Sequence, residues 1–121
     1  MRIASARAAA QSAFFINARS DVFLQSAAET HNLDLLELAI ARAQAYAEVG
    51  ASGLFLPGLM DLRLIAAAVK RSPLPMNIMM GGHELTRRQL AEVGVARISH
   101  GPEPFMMVMK HLQNEAGLAL A

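Results

Sequence analysis

At 121 residues the chain is long enough for one domain with a real core and too short for two. Lys and Arg number 11 against 10 Asp and Glu, a formal charge of +1, and there is one Tyr, no Trp and no basic run interleaved with aromatics, so nucleic acid is not an expected partner. The absence of Cys excludes a disulfide framework, a thiolate zinc site and a cysteine nucleophile, and no apolar run approaches the ~18 residues of a membrane span.

Hydrophobic residues make up 54% of the chain, above the ~45–50% usual for a soluble domain. Much of the excess is Ala and Met, which suggests a surface that something else covers.

Residues 2 to 11 are Ala-rich, with Arg2 and Arg7 and no acid before Asp21. A helix feeding a first strand is expected there, although the same composition suits a transit peptide. The stretch "FFINARSD" (14–21) predicts that strand over Phe14–Ala18. Side chains alternate along a strand, so Phe15, Asn17, Arg19 and Asp21 share one face and Phe14, Ile16 and Ala18 the other. The first set grows more polar toward the carboxyl end, as suits a strand that opens onto a site.

Leu36, Ala39, Ile40, Ala43 and Ala47 then recur at helical spacing, with Glu37, Gln44 and Glu48 opposite and Gly50 at the capping position. "GLFLPG" (53–58) is a short continuous apolar run, the mark of a strand buried on both faces. Asp61 can cap a helix through Leu62, Ile65, Ala66 and Val69, which Ser72-Pro73 stops. "PMNIMMGG" (75–82) is a third strand. Thr86 and Gln89 spell a capping box, with Leu85 and Leu90 at staple positions and Gly94 closing that helix. "ARIS" (96–99) is a fourth strand, and Pro104 at a first helical position opens a last helix with Phe105, Val108, Met109 and Leu112.

Such alternation implies parallel strands joined by right-handed crossovers, an α/β fold in one domain. Parallel sheets place their chemistry at the carboxyl ends of the strands. The four tips read Arg19-Ser20-Asp21, Pro57-Gly58, Met80-Gly81-Gly82-His83 and Ser99-His100-Gly101. Arg19 is suited to bidentate recognition of a carboxylate or phosphate, or else to an ion pair with Asp21. Asn77, inside an apolar strand, is either a polar contact facing the site or a satisfied core amide. His83 and His100 could move protons or stand as exposed loop histidines. Gly81-Gly82 and Gly101 could cradle a phosphate, but Glu84 and Glu103 at the same entrances would repel one.

"FFINARSD", "AIARAQAYAEVGASGLFLPGL", "PMNIMM" and "VARISHGP" together resemble the isocitrate lyase/phosphoenolpyruvate mutase superfamily, in order and over about residues 8 to 115. The resemblance implies a TIM-type α/β barrel enzyme that binds small keto acids or their enolates through Mg2+ and cleaves or forms C–C bonds or shifts a P–C bond. It implies that residues 1–121 form a single partial barrel, a parallel (βα)4 half matching the last four βα units. Arg19 matches the family's substrate-contacting arginine, and Asn77 falls on the strand whose asparagine lies near the substrate; these two are the expected catalytic residues. Asp21 and Ser99 join them as expected substrate contacts. The family's Asp-x-Asp metal motif has no counterpart here, so Mg2+ belongs to the complete enzyme and none is expected in this chain alone. Gly58 stands where the isocitrate and methylisocitrate lyases have a glutamate, which argues against those two activities.

Two readings follow from the resemblance: the carboxyl half of a cytoplasmic keto-acid enzyme, or a non-catalytic half-barrel that survives as a homo-oligomer or binding module. A flavodoxin-like phosphate binder is a third, weaker one. Neither a membrane nor a nucleic acid is expected as a partner.

Overall fold

The structure, a computed structural model, describes residues 2–10, 13–81 and 85–121. Helix α1 (Arg2–Ala9) leads into β1 (Asn17–Arg19), then α2 (Leu33–Glu48), β2 (Gly53–Leu56), α3 (Leu62–Arg71), β3 (Met76–Met79), α4 (Arg87–Glu92), β4 (Arg97–Ser99) and α5 (Glu103–Leu120). The strands form one sheet in the order β1-β2-β3-β4, every pairing parallel. The expected βα alternation and parallel order are therefore observed.

Register decides what each face does. Ala18 pairs with Leu54, Leu54 with Met76 and Leu56 with Ile78. All five are buried, packed with Leu36, Ile40 and Ala43 of α2, Leu64, Ile65 and Ala68 of α3, and Leu90 of α4. Each fully buried Leu or Ile here contributes about 1.5–3 kcal/mol by leaving water. The opposite face displays the other register set, Arg19↔Phe55↔Asn77↔Arg97 with Met79↔Ser99 beyond it. No helix covers that inner face among the described residues.

Local chemistry fixes the helices. Asn32 caps α2 by accepting from Leu35 N at 3.0 Å. Gly50, at φ 90°, turns the chain out of α2. The capping box of α4 is formed as the sequence spells it, Thr86 accepting from Gln89 N at 3.2 Å and Gln89 Oε1 accepting from Thr86 N at 2.9 Å. Leu85 and Leu90 are both buried beside it.

Several boundaries differ from expectation. The first strand is Asn17–Arg19 rather than Phe14–Ala18. Ladder bonding starts where Ser52 N and Gly53 N both donate to Ile16 O, whereas the carbonyl of Phe14 accepts from Arg7. Phe14 and Phe15 consequently lie outside the strand, 62% and 53% exposed. The second strand ends at Leu56, because Pro57 removes a donor and Gly58 bends back at φ 86°. The third covers Met76–Met79 rather than 75–82, and the fourth begins at Arg97 rather than Ala96. Helix α1 ends at Ala9, short of residue 11, and Pro104 occupies the second position of α5, which starts at Glu103.

Two helices stand apart from the core. α1 has no buried residue and is anchored through Arg7, which donates to Gly50 O, Phe14 O and Ser52 Oγ at 2.9, 3.0 and 2.8 Å. α5 has no buried residue either. Its Phe105, Val108 and Leu112 are 65%, 66% and 57% exposed, so these residues of the face expected to pack are left uncovered by the described residues.

Asp61 shows how one side chain sets a helix start. Its carboxylate accepts from Arg63 N at 2.8 Å and Leu64 N at 3.4 Å. The Arg63 guanidinium holds its pKa below the ordinary value against the opposing effect of burial, and the backbone N–H groups of Arg63 and Leu64 add to the lowering. Asp61→Ala should cost about 1 kcal/mol, and Asp61→Asn less, since the amide oxygen still caps. Because the folded pKa is the lower one, the carboxylate's contribution is present above the unfolded pKa and lost as pH falls through the folded one. Thermal melts at neutral and acid pH should therefore show wild type and Asp61→Asn converging in acid, with Asp61→Ala staying lower because it has no capping oxygen; a gap between wild type and Asp61→Asn that persists there would refute this account.

Candidate functional site

The carboxyl ends of the strands meet at one edge of the uncovered inner face. Arg19 and Asp21, two apart at the end of β1, lie side by side and form an ion pair, Nε to Oδ1, at 2.5 Å. The guanidinium carbon also lies 5.9 Å from the centroid of the Phe55 ring on β2, a weak cation–π contact. The intervening Ser20 points the other way, 1% exposed, with Arg42 of α2 donating to its Oγ at 3.4 Å. Val22 and Phe23 are buried just beyond. His31 closes the loop, its Nε2 lying 3.0 Å from Phe23 O and its ring edge-on to Phe23. The segment after β1 is thus packed from below, and it holds the Arg19–Asp21 pair above it.

That pair contributes little to stability. The two side chains are 50% and 36% exposed, and ion pairs so solvated are worth about 0–1 kcal/mol. A guanidinium held there by one monodentate bond can exchange that partner for a carboxylate ligand and gain a bidentate geometry. Of the two sequence-level readings of Arg19, the ion pair is observed, and its geometry leaves the ligand role open.

Asn77 sits in mid-strand between Phe55 and Arg97. It is 4% exposed, and its Oδ1 is buried without a hydrogen-bond partner. It is therefore not a satisfied core amide. Ser99 lies on the same face, half-buried, accepting from Gly101 N at 3.3 Å. His100 is exposed at the tip of β4. His83, Gly82 and Glu84 lie outside the described residues, and with them the possible phosphate cradle at Gly82. So Arg19, Asp21, Asn77 and Ser99 share the inner face, and the structure brings Arg19 and Asp21 into contact.

Mg2+ requires near-octahedral oxygen ligation, usually with one or two carboxylates. Among the described residues no three His, Cys, Asp or Glu side chains gather, and Asp21 is already engaged by Arg19. These residues do not fit the Mg2+ that the resemblance implies. Gly58 adds a second constraint. At φ 86°, with Leu24 N only 2.8 Å from where a Cβ would stand, it admits no side chain without backbone movement.

Gly53 and Arg97, which the sequence does not single out as site candidates, lie at the amino-terminal end of the inner face. Gly53 lets the Phe15 ring lie across β2, since a Cβ there would meet Phe15 Cζ at 2.7 Å. Beside it is a depression of about 310 Å3 lined by Phe15, Asn17, Asn77 and Arg97. The alternation of Arg97 and Ser99 about Ile98 was the available signal for Arg97. Larger hollows of about 530 and 580 Å3 lie between the starts of α2 and α3, and along the β1 edge beside α1.

The family described as phosphoenolpyruvate phosphomutase matches residues 1–120. Uncharacterized proteins from two strains of Mycobacterium tuberculosis are 37% identical over 93 residues, which is 75% of this chain and 33% of theirs. A crystal structure from Burkholderia cenocepacia described as a candidate phosphonomutase superposes with a TM-score of 0.94 at 51% identity, covering 98% of this chain and 48% of that one. A second from the same organism, described as a candidate lyase/mutase, gives a TM-score of 0.81 at 32% identity, covering 96% and 42%. The chain spans about a third of the curated relatives and about half of these structures, so its four-stranded sheet is part of a barrel. Profile, identity and superposition converge on one assignment: the chain belongs to the phosphoenolpyruvate phosphomutase family of the isocitrate lyase/phosphoenolpyruvate mutase superfamily.

Proposed function

We propose that the chain is the carboxyl-terminal half of an enzyme acting on a small keto acid or its enolate, breaking, making or shifting a C–C or P–C bond. The observation that supports this most is the singly bonded Arg19 guanidinium at the tip of β1, above an inner face with an unsatisfied Asn77. Arg19 clamps the substrate carboxylate, Asp21 orients the guanidinium, and the Asn77 amide hydrogen-bonds near the reacting carbon. Ser99 borders the same surface from β4. The metal's ligands belong to the complete enzyme and lie outside this chain, so no step through the metal is assigned to these residues. The tight turn at Gly58 weighs against the glutamate-dependent isocitrate and methylisocitrate lyase reactions and favours the phosphonomutase branch. A cytoplasmic location belongs to the same reading.

The alternative, a half-barrel persisting as a self-associating module, draws on a different observation. Helix α5 exposes Phe105, Val108 and Leu112 along one face, an apolar stripe of the kind that marks an interface. The sheet edges at β1 and β4 are also unpaired among the described residues, and open edges invite pairing. Association through the inner faces is the less favourable route, because it would bring the exposed Arg97 guanidinium of each copy into the contact.

Three outcomes are expected. In an active version containing the whole barrel, Arg19→Lys should lower kcat/KM by about tenfold or more while leaving Tm nearly unchanged, because the fork is lost and only an exposed ion pair is altered. A large drop in Tm with unchanged kinetics would assign Arg19 to structure instead. The isolated 121-residue chain should show no micromolar Mg2+ binding by calorimetry, given that the Asp21 carboxylate at the tip of β1 is engaged by Arg19. Light scattering of that chain at micromolar concentration should report a dimer or larger species, shifted toward monomer by Val108→Asp with Leu112→Asp. A cooperative 13.0 kDa monomer would exclude the self-association reading.

A further inference from the structure

Asn77 has a buried acceptor without a donor, and the next strand has a donor without an acceptor. Oδ1 of Asn77 is closed off from solvent and unpartnered, an arrangement that costs stability. Buried polar atoms are satisfied in the great majority of cases, so a donor is to be looked for. Turning the amide over cures nothing, since an orphan donor would replace the orphan acceptor.

The inner-face neighbours can be taken in turn. Asn77 pairs in register with Phe55 on one side and Arg97 on the other. Phe55 has no polar side-chain atom. Arg19 is bonded to Asp21 and lies near the Phe55 ring. Asn17 turns its Oδ1 toward Gly53, 3.1 Å from the point where a Cβ would stand there. Arg97 forms no ion pair or side-chain hydrogen bond among the described residues. Its Cα is one strand away from that of Asn77, about 4.8 Å, and both residues line the depression of about 310 Å3. A guanidinium on a long stem spans such a gap easily.

We propose that Arg97 is a positioning residue for Asn77: its guanidinium turns inward, donates to Asn77 Oδ1 and holds the amide with its Nδ2–H groups directed at the ligand. The amide then acts as a fixed donor, so what it recognises is an oxygen acceptor such as a carboxylate or enolate oxygen. A charged donor on Oδ1 also polarises the amide and strengthens the bond that Nδ2–H can give. The exposed position of Arg97 leaves its guanidinium in competition with water, and covering the inner face removes that competitor. The consequence for binding rests on the reading of Asn77 as a ligand contact; the Arg97–Asn77 bond does not.

Side-chain amide NMR of the 15N-labelled 121-residue chain tests the bond directly. Arg97→Met should shift the Asn77 NH2 resonances and lower their order parameter, and Arg97→Lys should restore most of both, because an ammonium also donates. With pyruvate as probe, Arg97→Met should raise Kd by about tenfold, the loss of one charge-assisted bond. A stability role alone would not single out this amide. Asn77 resonances unchanged in Arg97→Met would overturn the proposal, as would a shift caused by Asn17→Ala and not by Arg97→Met. If the resonances follow Arg97 but Asn77→Ala leaves pyruvate binding as it was, the positioning stands and the ligand-contact reading of Asn77 falls.

Discussion

In a parallel sheet paired residues project on the same side, so one choice of register sorts the side chains of all four strands at once. Here that choice sends Ala18, Leu54, Leu56, Met76 and Ile78 toward the helices and Arg19, Phe55, Asn77 and Arg97 away from them. A slip of one residue in β1, β3 or β4 would turn Arg19, Asn77 or Arg97 under the helices, and a slip in β2 or β3 would expose Leu54 and Leu56 or Ile78. The hydrophobic layer therefore fixes the register, and the register delivers the polar groups to a common surface. Chemistry on the inner face is a by-product of packing on the outer one.

This dependence explains what could be read from the sequence and what could not. Helix starts and stops are written in residues three or four apart, so the capping box at Thr86 and the Asp61 cap were legible. Strand ends depend on the neighbouring strand. Phe14 looks like strand, yet its carbonyl belongs to Arg7, whose guanidinium comes from a helix before it. Nothing in "FFINARSD" itself encodes that diversion. The expected site follows the same division. The sharing of a face by Arg19 and Asp21 follows from period two alone, whereas the unsatisfied state of Asn77 depends on what three other strands fail to offer.

Helix α5 marks another limit of local reading. Its apolar spacing predicted a helix correctly, and the helix formed, but amphipathicity says only that a face wants cover. It does not say which molecule supplies it. The excess of Ala and Met in the composition is partly accounted for here, in a helix whose Met106 and Met107 remain exposed.

The attachment of α1 has its own consequence. This helix presents no buried side chain, and its anchor is a guanidinium that gathers three oxygens from the corner between α2 and β2 and from the chain ahead of β1. Such a joint resists differently from an oily one. Polar anchors of this kind carry little of the heat-capacity change that accompanies apolar exposure, so α1 can swing free with almost none of the cost of opening the sheet. Amides of α1 are accordingly expected to exchange with solvent before those of the strand-and-helix body.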